Sequence, residues 1–311
     1  MVKLGSTDLD VFPLCLGGNV FGWTADQETS FAVLDAYAEA GGNFVDTADS
    51  YMARVPGNSG GESETIIGRW LAARGNRERM VIATKGSRLP PNEGLSAKAV
   101  RAAADASLRR LGVDTIDLYY AHFDDEVTPV AETMTAYDEL VRAGKVRHVA
   151  ASNVSIPRIT ESLEFAAANG TAPYVAIQPH YNLVERAGFE REIQPFAAAH
   201  KLATLPYFAL AKGFLTGKYR PGAEAIDSPR AEGARAYLDE RGLRVLAALD
   251  EVAAAHDTTL AAVSLAWLAA RDTVAAPIAS ARSVAQLAEL LPVGRLRLTA
   301  AEVAKLTSAS D

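Results

Sequence analysis

Only one of the 311 residues is cysteine, Cys15, so neither an intrachain disulfide nor a cysteine-based zinc site can be built. The chain also lacks an unbroken apolar stretch of roughly eighteen residues, the length that a membrane-crossing helix requires. There is no excess of positive charge. Thirty-one Lys and Arg stand against 38 Asp and Glu, leaving a net −7, which argues against nucleic acid or an anionic membrane as the main partner. The start, "MVKLGSTDLDVF", has no apolar run of the secretory kind. The expectation is a cytoplasmic protein.

Two nucleotide-binding signatures are missing as well. No G-x-G-x-x-G fingerprint follows the first apolar run, which removes the usual dinucleotide site of a doubly wound sheet. "GFLTGK" (213–218) resembles a P-loop only superficially: three residues, not four, separate its glycines, and Tyr219 follows the lysine. The histidines at 122, 148, 180, 200 and 256 fall in no metal-ligand spacing, so no metal is expected.

What the chain does have is apolar material, 49% of its residues, arranged as short β-rich runs alternating with longer helical stretches. Eight runs can be read: 14–18, 43–48, 80–85, 115–122, 146–152, 174–180, 202–208 and 273–279. Most are continuously apolar, as in strands covered on both faces. The helices carry punctuation. Thr128 is read as an N-cap with Pro129 at the first helical position, ahead of Gly144; Ser96 opens a helix closed by Gly112; Ser155 opens another ahead of Gly170. This alternation predicts an α/β fold, a single (β/α)₈ TIM barrel domain over 1–311, with a doubly wound sheet as the alternative. An N-terminal β-hairpin is expected over 3–13. A long loop, 209–232, is expected after the seventh barrel strand, and long loops in compact domains are usually functional.

In such a barrel, active sites gather at the C-terminal strand ends. The polar residues there are Asp46 and Tyr51, Lys85, His122, Ser152 and Asn153, Gln178, and Tyr207. Each has a plain structural reading: Asp46 caps a helix, Lys85 is an exposed strand end, His122 is a buried histidine, Tyr51 a pocket wall. Together they have a chemistry. A phenol is a poor acid near neutrality; a lysine ammonium beside it stabilises the phenolate, and an aspartate holds that lysine charged. A neighbouring histidine polarises a carbonyl oxygen.

The ordered fragments "KLGSTDLDVFPLCLGG", "DTADSY", "GESETIIGRWL", "VIATKG", "IDLYYAHFDD", "ASN", "IQPHYN", "GFLTGKY" and "PIASARSVAQLAE" span nearly the whole chain and resemble the aldo-keto reductases. That resemblance implies a barrel reducing aldehydes or ketones with NADP(H), and a small-molecule carbonyl as the partner. It makes Tyr51 the general acid, assisted by Lys85, Asp46 and His122. It assigns to the cofactor Gly18, Asn19, Asp46, Ser152, Asn153, Gln178 and Tyr207, then Phe208, Leu210, Gly213, Leu215, Gly217 and Lys218 along the following loop. At the adenosine end it implies Ser280, Arg282, Gln286 and Glu289, Arg282 being suited to a 2′-phosphate. The chain departs from many relatives at Ala209, Ser280 and Leu290, where serine, glycine and asparagine are frequent. Phe21, Trp23 and Phe123, with Tyr51 and His122, are the expected substrate pocket. Two other readings stand beside this one: a cofactor-sensing regulatory subunit of the same fold, as in potassium-channel β subunits, and a Schiff-base lyase using Lys85.

Overall fold

A computed structural model describes every residue except Ala223, Ala225 and Asp227, so part of the expected 209–232 loop lies outside the described residues. Ten short strands are present among those described. β1 (Val2–Lys3) and β2 (Asp10–Val11) pair antiparallel. β3 (Cys15–Gly17), β4 (Phe44–Asp46), β5 (Val81–Gly86), β6 (Ile116–Ala121), β7 (Val146–Ser152), β8 (Tyr174–Gln178), β9 (Ala203–Thr204) and β10 (Ile278–Ala279) form one parallel sheet in the order β10-β3-β4-β5-β6-β7-β8-β9.

Hydrogen bonds between the two ends of that order close it. Thr204 N–H donates to Thr273 O at 2.8 Å, Ala275 N–H to Thr204 O at 3.0 Å, and Ile278 N–H to Pro206 O at 2.8 Å. Closure selects the barrel over the doubly wound sheet. The last two expected runs are longer than the strands found because Pro206 and Pro277 bring no N–H to the ladder.

Helices follow the strands on the outside: α1 (Gln27–Glu39), α2 (Glu62–Arg74), α3 (Ala97–Leu111), α4 (Val130–Arg142), α5 (Ile156–Asn169) and α6 (Gln194–Ala199). Then come α7 (Ala231–Arg235), α8 (Glu240–Ala255), α9 (Leu260–Ala269), α10 (Val284–Leu290) and α11 (Ala300–Ala309). Ser96 caps α3, accepting from Ala99 N–H, and Gly112 closes it at φ 63°. The expected cap at Thr128 is displaced by one residue. Pro129 is the cap of α4, and the Thr128 hydroxyl instead donates to Asp125 Oδ2 at 2.7 Å. No single helix among the described residues is long and apolar enough to cross a membrane.

Strand periodicity divides the apolar residues into two cores. Val45, Ile82, Tyr119, Val149 and Ile177 face outward and pack under the helices. Phe44, Val81, Ala83, Leu118, Tyr120, Ala150 and Ala176 face inward and fill the barrel, with Leu4, Leu9 and Val11 of the hairpin joining them. That alternation of two residues continues upward. It sets Asp46 above Phe44, Lys85 above Ala83, His122 above Tyr120, Ser152 above Ala150 and Gln178 above Ala176, so the inward faces end in polar groups.

Candidate active site

Register arranges those groups as a staircase. Asp46 lies opposite Ala83, so Lys85 stands one inward step higher on β5. Lys85 lies opposite Tyr120, so His122 stands one step higher again. Lys85 is fully buried. Its ammonium donates to Asp46 Oδ2 at 2.6 Å, Thr47 O at 2.8 Å and Tyr51 Oη at 2.7 Å. Three donors meet three acceptors. Asp46 is as fully used: Oδ2 also accepts from Tyr51 Oη at 3.0 Å, and Oδ1 from Gln178 Nε2 at 2.9 Å. The aspartate is thus no helix cap, since α2 begins only at Glu62.

The turn after β4 brings Tyr51 back over this pair. Thr47 N–H donates to Ala83 O at 2.8 Å and Asp49 N–H to Lys85 O at 3.0 Å, tying residues 47–49 to β5. Tyr51 and His122 then meet edge to face, 6.0 Å apart, and Ser50 Oγ lies 3.4 Å from His122 Nδ1. Burial, followed by the Lys85 and Arg88 charges, holds His122 well below the usual imidazole range, so the ring is neutral.

Tyr51 differs from expectation. Burial first, then the Asp46 charge and hydrogen bond, push its phenol well above the usual range. The ammonium that was to bring it down is ion-paired with Asp46, whose negative charge opposes ionisation of the phenol. Tyr51 therefore keeps its proton throughout the neutral range, donated to Asp46.

Beside the staircase runs a chain of polar groups. Ser152 Oγ donates to Gln178 O at 3.1 Å, Asn153 Nδ2 to Ser152 Oγ at 3.1 Å and to His122 O at 3.0 Å, and Tyr207 Oη to Asn153 Oδ1 at 3.0 Å. Phe208, half exposed at φ 51°, follows Tyr207. Across the mouth, Gly18 N–H donates to Asp46 O at 2.7 Å, and a Cβ at Gly18 would lie 2.7 Å from Ser63 Oγ. Ser280 Oγ donates to Asn19 Oδ1 at 2.6 Å.

Along the segment after β9, Gly213 and Gly217 take φ of 98° and 77°, a region costly to any residue with a Cβ. Leu210 is partly buried against the core, and Leu215 is completely buried in it, so the Leu215 side chain lines no cleft. Lys218, Arg230 and Arg282 lie close enough to perturb one another. Burial, Arg282 and Arg230 lower Lys218, with Glu289 opposing. Burial and Arg282 lower Arg230, whose charge also reaches Tyr51. Gln286 Oε1 accepts from Arg282 N–H at 3.1 Å. Leu290, at the position where asparagine is frequent, is buried in the core.

The aromatic wall needs correction. Phe21 is wholly buried and belongs to the helix-side core, so it lines no pocket. Trp23 remains half-buried, and Phe123 lies 5.0 Å from the His122 ring. Three residues went unread in the sequence. Arg230 and Arg88 sit in loops with no periodicity to place them. Asp49 is hidden inside "DTADSY", where nothing distinguishes a buried acid from an exposed one. Both its carboxylate oxygens are buried without a hydrogen-bond partner among the described residues. Burial, then the charge of Glu64, raises its pKa to about 6.

Comparisons with known proteins identify the family. The model of the aldo/keto reductase family matches residues 13–311. Norsolorinic acid reductase A of Aspergillus parasiticus is 32% identical, over 98% of this chain and 79% of its own. The aryl-alcohol dehydrogenase GME11368 of Pestalotiopsis microspora is 30% identical, over 98% and 80%. The uncharacterized oxidoreductase YrpG of Bacillus subtilis is 33% identical, over 95% and 91%. With a closed barrel and a polar staircase at its C-terminal mouth, the chain belongs to the aldo/keto reductase family of oxidoreductases.

Proposed function

We propose that this protein reduces small aldehydes or ketones to alcohols using NADP(H), with Tyr51 as the general acid. The observation that carries the reading is the three-way contact of Lys85 with Asp46, Thr47 O and Tyr51. When bound, the reduced nicotinamide supplies hydride to the carbonyl carbon. Tyr51 supplies the proton. In the free site its O–H is directed at Asp46 Oδ2, and a carbonyl oxygen arriving at the mouth replaces that carboxylate as acceptor. As negative charge grows on the oxygen, Lys85 stabilises the phenolate left behind, 2.7 Å away. Neutral His122 is positioned to orient the same oxygen as a hydrogen-bond donor, without competing as the acid.

The chemistry of the mouth fits the cofactor. Ser152, Asn153 and Gln178 offer amide and hydroxyl groups suited to a carboxamide, and Tyr207 a flat face suited to a nicotinamide ring. Lys218, Arg230 and Arg282 bring mutually repelling cations together, and none has a carboxylate in ion-pair range among the described residues. Phosphate groups would relieve that repulsion. The relatives named as reductases and as an aryl-alcohol dehydrogenase support the same reaction class. A Schiff-base lyase is disfavoured, because Lys85 is a buried, ion-paired ammonium rather than a free amine.

The test is loss of NADPH absorbance with a panel of aldehydes and ketones, repeated with Tyr51→Phe. Turnover in the wild type that falls at least about a hundredfold in the variant is expected. Undiminished turnover in Tyr51→Phe would sink the acid assignment. Tight NADPH binding with no turnover on any carbonyl would favour a cofactor-sensing role instead.

A further inference from the structure

The loop after β5 places a further cation, Arg88, beside His122 and Phe123. The Arg88 guanidinium carbon stands 4.0 Å from the centroid of the Phe123 ring. That ring is 5.0 Å from His122, and His122 is 6.0 Å from Tyr51. Arg88 is exposed, yet stacking on Phe123 fixes where its charge lies, and that charge is felt at His122.

The acids nearest in sequence to Phe123 are committed elsewhere. Asp124 Oδ1 accepts from Arg158 Nε, and its Oδ2 accepts from Ser155 N–H and Oγ. Asp125 Oδ2 accepts from Leu95 N–H and the Thr128 hydroxyl, and its Oδ1 from Val127 N–H. Among the described residues Arg88 has no hydrogen-bond acceptor and no ion pair. Stacking occupies the face of a guanidinium and leaves its edge N–H groups, a fork matched to a carboxylate.

We propose that Arg88, stacked on Phe123 beside His122, binds an anionic group on the substrate, so that this site prefers carbonyl compounds bearing a carboxylate about one aryl ring away from the reacting carbonyl. The separation follows from the sequence of rings: carbonyl oxygen at Tyr51 and His122, flat body along Phe123, anion at Arg88. The proposal rests on the carbonyl-reductase reading for its location and adds the substrate class.

Steady-state reduction of 4-carboxybenzaldehyde and of its methyl ester by NADPH tests it. In the wild type kcat/KM should favour the carboxylate by about tenfold, mainly through KM, a difference of about 1.4 kcal/mol. Arg88→Met should abolish the preference, and Arg88→Lys should restore part of it. Equal kcat/KM for the two aldehydes in the wild type, or a preference that survives Arg88→Met, would overturn the proposal. Calorimetric titration of NADPH-loaded protein with benzoate reads the same contact without turnover. Binding weakened about tenfold by Arg88→Met supports it, and binding unchanged by the substitution overturns it. If neither aldehyde is reduced while benzoate binding still depends on Arg88, the reductase reading fails and the anion site stands.

Discussion

Asp49 is a buried carboxylate with no hydrogen-bond partner among the described residues. Asp49 lies next to Glu64, but Glu64 already holds Thr84 Oγ1 and Arg110 Nε, each at 2.6 Å. Arg110 lowers Asp49 less than burial and Glu64 raise it, and the pKa stands at about 6. Because the folded value exceeds the unfolded one, the folded protein binds the extra proton. The associated stability is fully present below the unfolded pKa, near 4, and is lost as pH rises through about 6. A shift of this size amounts to about 2–3 kcal/mol. Asp49→Asn keeps the shape without the charge. Its thermal midpoint should exceed that of the wild type at pH 8 by several degrees, and the gain should vanish at pH 4. An equal gain at both pH values would show that the Asp49 charge is not the cause. The neighbouring pair behaves oppositely. Removing one side of the buried Lys85–Asp46 bridge, as in Lys85→Met, leaves an uncompensated carboxylate and should cost about 3–5 kcal/mol. The double variant Lys85→Met/Asp46→Asn should cost less than the sum of the two single changes, read by chemical denaturation.

At the scale of elements, strands and helices were legible because their signals are periodic and local, whereas the shape of the mouth depends on contacts distant in sequence. The staircase Asp46–Lys85–His122 could be foreseen from strand ends alone, since parity along a strand decides which residues face inward. Phe21 could not, because an aromatic after a strand looks the same in the pocket or the core until α1 and α2 are docked. Thr128 departs from a capping role for a chemical reason: its hydroxyl donates to Asp125, three residues earlier. Helix packing shows the same limit at Gly68. In sequence it is a flaw in α2; in the structure a Cβ there would lie 2.5 Å from Leu111 O and 2.6 Å from Arg110 O, at the end of α3. Gly68→Ala would gain about 1 kcal/mol in helix propensity. It should nonetheless lower stability by a net 1 kcal/mol or more, roughly, because two backbone carbonyls cannot give way. An unchanged or higher denaturation midpoint would mean that α2 and α3 are not held this closely.

The whole molecule is acidic, with a net −7, yet it gathers Lys218, Arg230 and Arg282 at one side of the barrel mouth. Long-range attraction from the protein as a whole therefore does not favour an anionic cofactor. On the proposed reading the local cations supply the recognition, and they come from segments far apart in the chain: the insertion after β9 and the turn before α10. Closure of the barrel through residues 204 and 273–278 is what brings these segments together. Arg282 is the member best matched to a phosphate absent from NADH, because a guanidinium makes paired hydrogen bonds to it. Arg282→Ala should weaken NADPH binding by about tenfold or more while leaving NADH binding nearly unaltered, an effect of about 1.4 kcal/mol or more. Since salt screens charges that are only partly buried, wild-type NADPH affinity should fall between low and moderate salt more steeply than NADH affinity, and Arg282→Ala should remove that difference. Fluorescence titration of both cofactors with both proteins measures it. Equal losses for NADPH and NADH in Arg282→Ala would place Arg282 away from the 2′-phosphate and leave Lys218 and Arg230 as the groups that distinguish the two cofactors.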